Sequence, residues 1–147
     1  MKYVIGFTTA GLCALFVACK ENNTGSKAEL MPELATCDSA TVMFYTKPGD
    51  PRFFTMTKVY EKALMEKVIN AVNSKTIAGK EGCVTEGKIY FYGKGDAVYP
   101  VYYSREQGCM TLSFIKTGVK YYTHMPEEVS KMLDIWKKSA KEPQPVN

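Results

Sequence analysis

The order of apolar and polar positions sorts most of this chain into strands and helices. Ala40–Thr46 (ATVMFYT) is a β-branched and aromatic run, stopped by the turn residues Lys47-Pro48-Gly49-Asp50-Pro51. Arg52–Met56 (RFFTM) reads either as a short return strand or as an extended approach. From about Thr57 the period lengthens: Tyr60, Leu64, Val68 and Val72 fall four apart with Met65 and Ile69 beside them, the stripe of a helix with one face to bury. Gly79 and Gly82 lie beyond its end. Four strand-like runs follow, Val84–Tyr92, Ala97–Ser104, Met110–Ile115 and Val119–Thr123. Their connectors, Gly93-Lys94-Gly95-Asp96, Arg105-Glu106-Gln107-Gly108 and Lys116-Thr117-Gly118, are short and contain glycine, which predicts an antiparallel meander. The last of them reads as a three-residue hairpin. Pro126 suits the first position of a second helix, Glu127 and Glu128 suit its positive end, and Val129, Met132, Leu133 and Trp136 give its buried stripe. Strand, helix, four-strand meander, helix predicts an α+β fold: an antiparallel sheet of about five strands with two helices packed on one face. This single domain covers 37–141, and the proline-containing 142–147 forms a loose tail.

The first residues follow a different rule. In MKYVIGFTTAGLCALFVAC one lysine precedes sixteen uncharged residues, Tyr3–Ala18, which is short for a spanning helix and interrupted by Gly6, Thr8, Thr9 and Gly11. A charged start, a short apolar stretch and small residues before a cut point describe a secretory signal peptide over 1–19. Phe16-Val17-Ala18-Cys19 resembles the lipobox of bacterial lipoproteins, with Phe16 where Leu or Val is usual. That resemblance implies cleavage before Cys19, a diacylated cysteine as residue one of the mature chain, and attachment to the membrane through it. An ordinary secreted protein and an uncleaved N-terminal anchor are the alternatives. The polar stretch Lys20–Lys27 (KENNTGSK) begins a tether expected over 20–36. Cys19-Lys20-Glu21 is similar to the start of small envelope lipoproteins of the Bacteroidota, which implies a cell-envelope location, most simply the outer membrane on its periplasmic or surface face.

Composition narrows the classes. The 147 residues are 46% hydrophobic and 23% charged, the range of a globular domain. The net charge of +4 comes from basic residues that form no block, so no nucleic-acid footprint is expected. A single histidine, His124, rules out a site built on several imidazoles. Cys37, Cys83 and Cys109 remain after the signal segment and Cys19, and an oxidising compartment favours pairing. With a helical crossover between the first two strands, all three open strands at the same end of the sheet. Cys83 and Cys109 would then flank an intervening strand, about 9.5 Å apart at two strand spacings, too far for a bridge. Cys37 is therefore the expected partner of one of the two, with Cys37–Cys109 the favoured disulfide and Cys83 then left as a buried or reactive thiol. Three free thiols remain open as an alternative; three thiolates on a metal lack the usual close cysteine pair.

Tyrosine is the unusual residue. Of ten, Tyr90, Tyr92, Tyr102, Tyr103, Tyr121 and Tyr122 cluster in the meander. Strand alternation sends Ile89 and Phe91 to the core and Lys88, Tyr90 and Tyr92 to the other side; Lys120, Tyr122 and His124 oppose Val119 and Tyr121 in the same way. Matching the polar sides gathers Tyr90, Tyr92, Tyr102 and Tyr122 with Lys88, Lys120, His124, Thr111 and Ser113. Such a face suits an envelope glycan or protein, and an ordinary solvated sheet face is the competing reading. Catalytic motifs are absent from the sequence, with His124 and Cys83 the only candidates for base or nucleophile, and no cofactor or metal is expected. Thr117-Gly118-Val119-Lys120-Tyr121 resembles the Ser-Gly-x-x-Tyr loop of bacterial C-type lysozyme inhibitors, with Thr for Ser; those proteins are β-barrels, which this helix-containing pattern does not match. The sequence thus reads as a lipid-anchored envelope protein, non-enzymatic, binding through a tyrosine-rich sheet face. An inhibitor of a host or competitor hydrolase is the alternative, and a small hydrolase a more distant one.

Overall fold

A computed structural model describes residues 29–144, so the signal segment, Cys19 and the first part of the tether lie outside the described residues. The chain enters at Leu30 and Met31 and makes a 3₁₀ turn over Pro32–Thr36. Leu34 is fully buried, and Asn73 exchanges two hydrogen bonds with the Met31 backbone, accepting at 2.7 Å and donating at 3.2 Å. The packed domain thus begins within the stretch expected to be tether.

Strands β1 (Ser39–Lys47) and β2 (Asp50–Val59) form a hairpin across Pro48-Gly49, with Gly49 at φ +81°, as a turn with proline first and glycine second requires. Helix α1 (Lys62–Val72) leads to a two-residue strand, β3 (Thr76–Ile77). A long loop then crosses to β4 (Gly87–Tyr92), and β5 (Val98–Ser104), β6 (Thr111–Lys116) and β7 (Val119–His124) complete the meander before α2 (Glu127–Ser139). All pairings are antiparallel, in the order β2-β1-β4-β5-β6-β7-β3. The architecture is α+β, one antiparallel sheet of seven strands with two helices on one face.

Three departures from the sequence reading have physical causes. Arg52–Val59 is a full strand, because its alternating Thr55, Thr57 and Val59 side chains pack toward the helices while Phe54, Met56 and Lys58 point away. Tyr60, assigned to the helical stripe, is 66% exposed and precedes α1. The β6–β7 hairpin turns on two residues, Thr117 and Gly118, both at positive φ, because Lys116 already pairs with Val119.

The core lies between sheet and helices. Val42, Phe44, Ile89, Phe91, Val101, Tyr103, Leu112 and Phe114 meet Met65, Val68, Val72, Val129 and Leu133, all of them buried. Tyr103 donates a hydrogen bond to the Met43 carbonyl at 2.9 Å, and burial pushes its phenol far above the usual range. Pro100 lacks an N–H, and the β5–β6 ladder is confined to Tyr102–Ser104. Beyond it the strands part, leaving Val98 and Ile115 exposed.

Candidate functional site: the outer sheet face

Both helices pack on one side, so among the described residues the outer side of the sheet carries no helix. The register brings the expected residues together there. Lys88 stands opposite Tyr102, Tyr102 opposite Ser113 and Ser113 opposite Tyr122, one continuous row across four strands. Tyr90 and Tyr92 follow Lys88 along β4, Lys120 precedes Tyr122 on β7, and His124 pairs with Thr111. Tyr90, Tyr92, Tyr102 and Tyr122 are half-buried, whereas Lys120 and His124 are exposed. Tyr103, their neighbour in sequence, faces the core, as does Tyr121, which stacks on Phe114 with 5.7 Å between ring centroids.

The face is built in relief. Thr111 and Ser113 on β6 are small and buried, with Tyr102 and Tyr122 standing on either side. Two ammonium groups cover tyrosine rings: Lys88 Nζ lies 4.7 Å from the Tyr90 centroid and Lys120 Nζ 5.1 Å from that of Tyr122. Partial burial lowers the Lys88 pKa, but the Tyr90 hydroxyl and the phenols of Tyr45 and Tyr102 outweigh it, and the net direction is upward. Lys88 is therefore a cation at neutral pH. The Gly79 backbone packs so closely on the Tyr122 ring that a Cβ there would come within 2.8 Å of it.

Part of this face was not assigned from the sequence. Thr41, Met43 and Tyr45 on β1 extend it, and Met56 and Lys58 on β2 bound it. Tyr92 donates to Thr41 Oγ1 at 3.2 Å, and beside them a recess of about 330 Å³ opens between Thr41, Lys58, Tyr60 and Tyr92. The alternation from Phe54 to Val59 was the available signal.

The expected Cys37–Cys109 bridge is corrected. Cys83 and Cys109 are joined, with Cα atoms 5.8 Å apart. Two assumptions behind the expectation fail. The β1–β2 hairpin adds a chain reversal, so β1 runs antiparallel to β4 and Cys37 sits beside Gly93 at the opposite end of the sheet. Cys83 is also not in a strand. It belongs to the loop that crosses from β3 to β4 along the strand ends, where Lys80 donates to the Gly108 carbonyl at 3.4 Å. Next to the bridge, the Glu86 carboxylate accepts from the Arg105 and Glu106 backbone N–H groups, and Arg105 reaches Asp134 on α2 at 2.6 Å.

Cys37 is free and buried, and it lines a cavity of about 290 Å³ under α1 with Met65, Ile69, Lys62 and Glu66. Burial first, then the negative charges of Asp38 and Glu33, push its thiol pKa up. That disfavours the thiolate needed for nucleophilic chemistry. Cys83, the other thiol considered as a nucleophile, is consumed in the disulfide. Among the described residues no helix is long and apolar enough to cross a membrane, and no group of three His, Cys, Asp or Glu side chains is placed to hold a metal ion. Comparison with protein-family models, with curated proteins and with solved structures finds no match to this chain.

Proposed function

We propose that this chain is a lipid-anchored protein of the bacterial cell envelope that works as a non-enzymatic binding module, with the outer sheet face as its contact surface. The observation that supports the face is the row Lys88–Tyr102–Ser113–Tyr122, held in register on a side of the sheet that no helix of the described residues covers. Half-buried tyrosines fixed by strand geometry supply contact area at small entropic cost, because two χ angles are already restrained. The anchor rests on the lipobox-like Phe16-Val17-Ala18-Cys19. It would keep the domain at a membrane, where a modest affinity for an envelope component is raised by confinement.

Two arms test the proposal. Metabolic labelling with an alkyne fatty acid should mark the wild-type chain and leave Cys19→Ala unmarked; labelling retained in the variant contradicts the anchor. Full-length protein in detergent, incubated with native envelope extract, should retain a component that Tyr90→Ala/Tyr92→Ala/Tyr122→Ala loses, after circular dichroism has shown both chains folded. Equal retention contradicts the face.

A further inference from the structure

The sheet is poor in acids. The five strands β1, β4, β5, β6 and β7 contain no Asp or Glu and β2 only Asp50, which is paired with Arg52, whereas the helices carry both signs, Glu66, Glu127, Glu128 and Asp134 beside five lysines. Lys58, Lys88 and Lys120 stand on the outer sheet face, and among the described residues none of them forms an ion pair. From this we infer that the ligand of the outer face is an anionic polysaccharide. Lys58, Lys88 and Lys120 meet its carboxylate or sulfate groups, and the hydroxyls of Thr41, Tyr92, Tyr102 and Ser113 meet its own. This inference rests on the binding-module reading and gives it a ligand class.

Three observations select this class. The ammonium groups over Tyr90 and Tyr122 occupy ring faces that a neutral sugar would need for stacking, so these pairs present cations. The row from Lys88 through Tyr102 and Ser113 to Tyr122 is hydroxyl-bearing, and the exposed apolar side chains stand singly, Val98 opposite Tyr92, Ile115 opposite Lys120 and Ile77 on the edge strand, whereas a bilayer surface or a protein-interface core calls for clustered apolar side chains at the centre and few lysines. Finally, the Lys88–Tyr90 and Lys120–Tyr122 pairs are separated by β5 and β6, about 14 Å at three strand spacings. A small anion fills one such site; a chain with repeated anionic groups engages both, and the second contact is then intramolecular.

The test uses full-length protein in detergent with polygalacturonate, dextran sulfate and neutral dextran as separate probes. Lys88→Gln/Lys120→Gln is compared with Lys137→Gln/Lys138→Gln, an equal change of charge on the exposed side of α2. At least one polyanion should bind, about tenfold weaker to the sheet variant, as two exposed charge contacts warrant, with the helix variant unchanged and neutral dextran unbound. Equal loss in both variants, absence of polyanion binding, or preference for neutral dextran overturns the inference. Tyr102→Ala separates the two levels. If polyanions fail yet this variant still loses the envelope component, the face stands and the polysaccharide falls. If it loses neither, both fall.

Discussion

Gly87 opens β4 where a side chain has no room: a Cβ would overlap the Met43 carbonyl oxygen and the Tyr103 hydroxyl. The absent Cβ leaves the space through which the Tyr103 side chain reaches the Met43 carbonyl, so Gly87→Ala should cost about 3 kcal/mol, the upper range for overpacking, read as a shifted urea midpoint. Tyr103→Phe removes only the donor and should cost about 1 kcal/mol. The Cys83–Cys109 bridge closes 26 residues and fastens the crossing loop to the β5–β6 turn. Replacing both cysteines by Ala should cost about 3 kcal/mol, whereas Cys37→Ala should leave the bridge intact, as peptide mapping under non-reducing conditions would show. At the β1–β2 turn, hydrogen bonds from the Arg52 side chain and backbone hold the Asp50 carboxyl at about 2, below its usual 3.8. A depressed carboxyl pKa adds stability that is complete above the unfolded value and fades as pH falls through about 2. Titration by NMR should therefore return Asp50 toward 3.8 in Arg52→Gln, and an unchanged value would contradict the pairing.

Between residue and molecule, the exposed edge of β2 is protected by its neighbours. Asp50 accepts from the Arg52 N–H at 3.1 Å, and Lys141 exchanges two backbone hydrogen bonds with Met56, at 2.8 and 2.9 Å. The next position that would donate to this edge is occupied by Pro143, which has no N–H, so the C-terminal segment starts a strand and then stops it. Removing 141–147 should expose the edge and produce concentration-dependent self-association by sedimentation; a monomer at all concentrations would show that Arg52 and Asp50 suffice. The same elements explain what the sequence disclosed. The meander and α2 were legible because their periods are clean and glycine-containing turns separate them, and alternation alone sorted Tyr90, Tyr92, Tyr102 and Tyr122 from Tyr103 and Tyr121. β2 was obscured because Tyr60 continues the four-residue spacing of α1 backward into a strand. β3 is two residues long, too short for any period, and without it and β2 the path of the crossing loop, and hence the disulfide, could not be deduced.

At the largest scale, two helices on one side of seven strands make a two-layer sandwich, and among the described residues no helix covers the other side of the sheet. Apart from Asp50, which pairs with Arg52, the strands hold no Asp or Glu, and unpaired lysines stand on the outer side of the sheet, so a net charge of only +4 conceals a basic face. An antiparallel sheet tolerates such a surface without a ligand, which makes occupancy the question that decides the account. The most direct measurement is site-specific photo-crosslinking in the native envelope, with benzoylphenylalanine at Tyr102 in the centre of the face and, separately, at Lys138 on α2. With the outer face as the contact surface, position 102 gives an adduct that is lost when Tyr90, Tyr92 and Tyr122 are replaced by Ala, and position 138 gives none of that species. Adducts of the same species from both positions, or from 138 alone, would contradict that assignment.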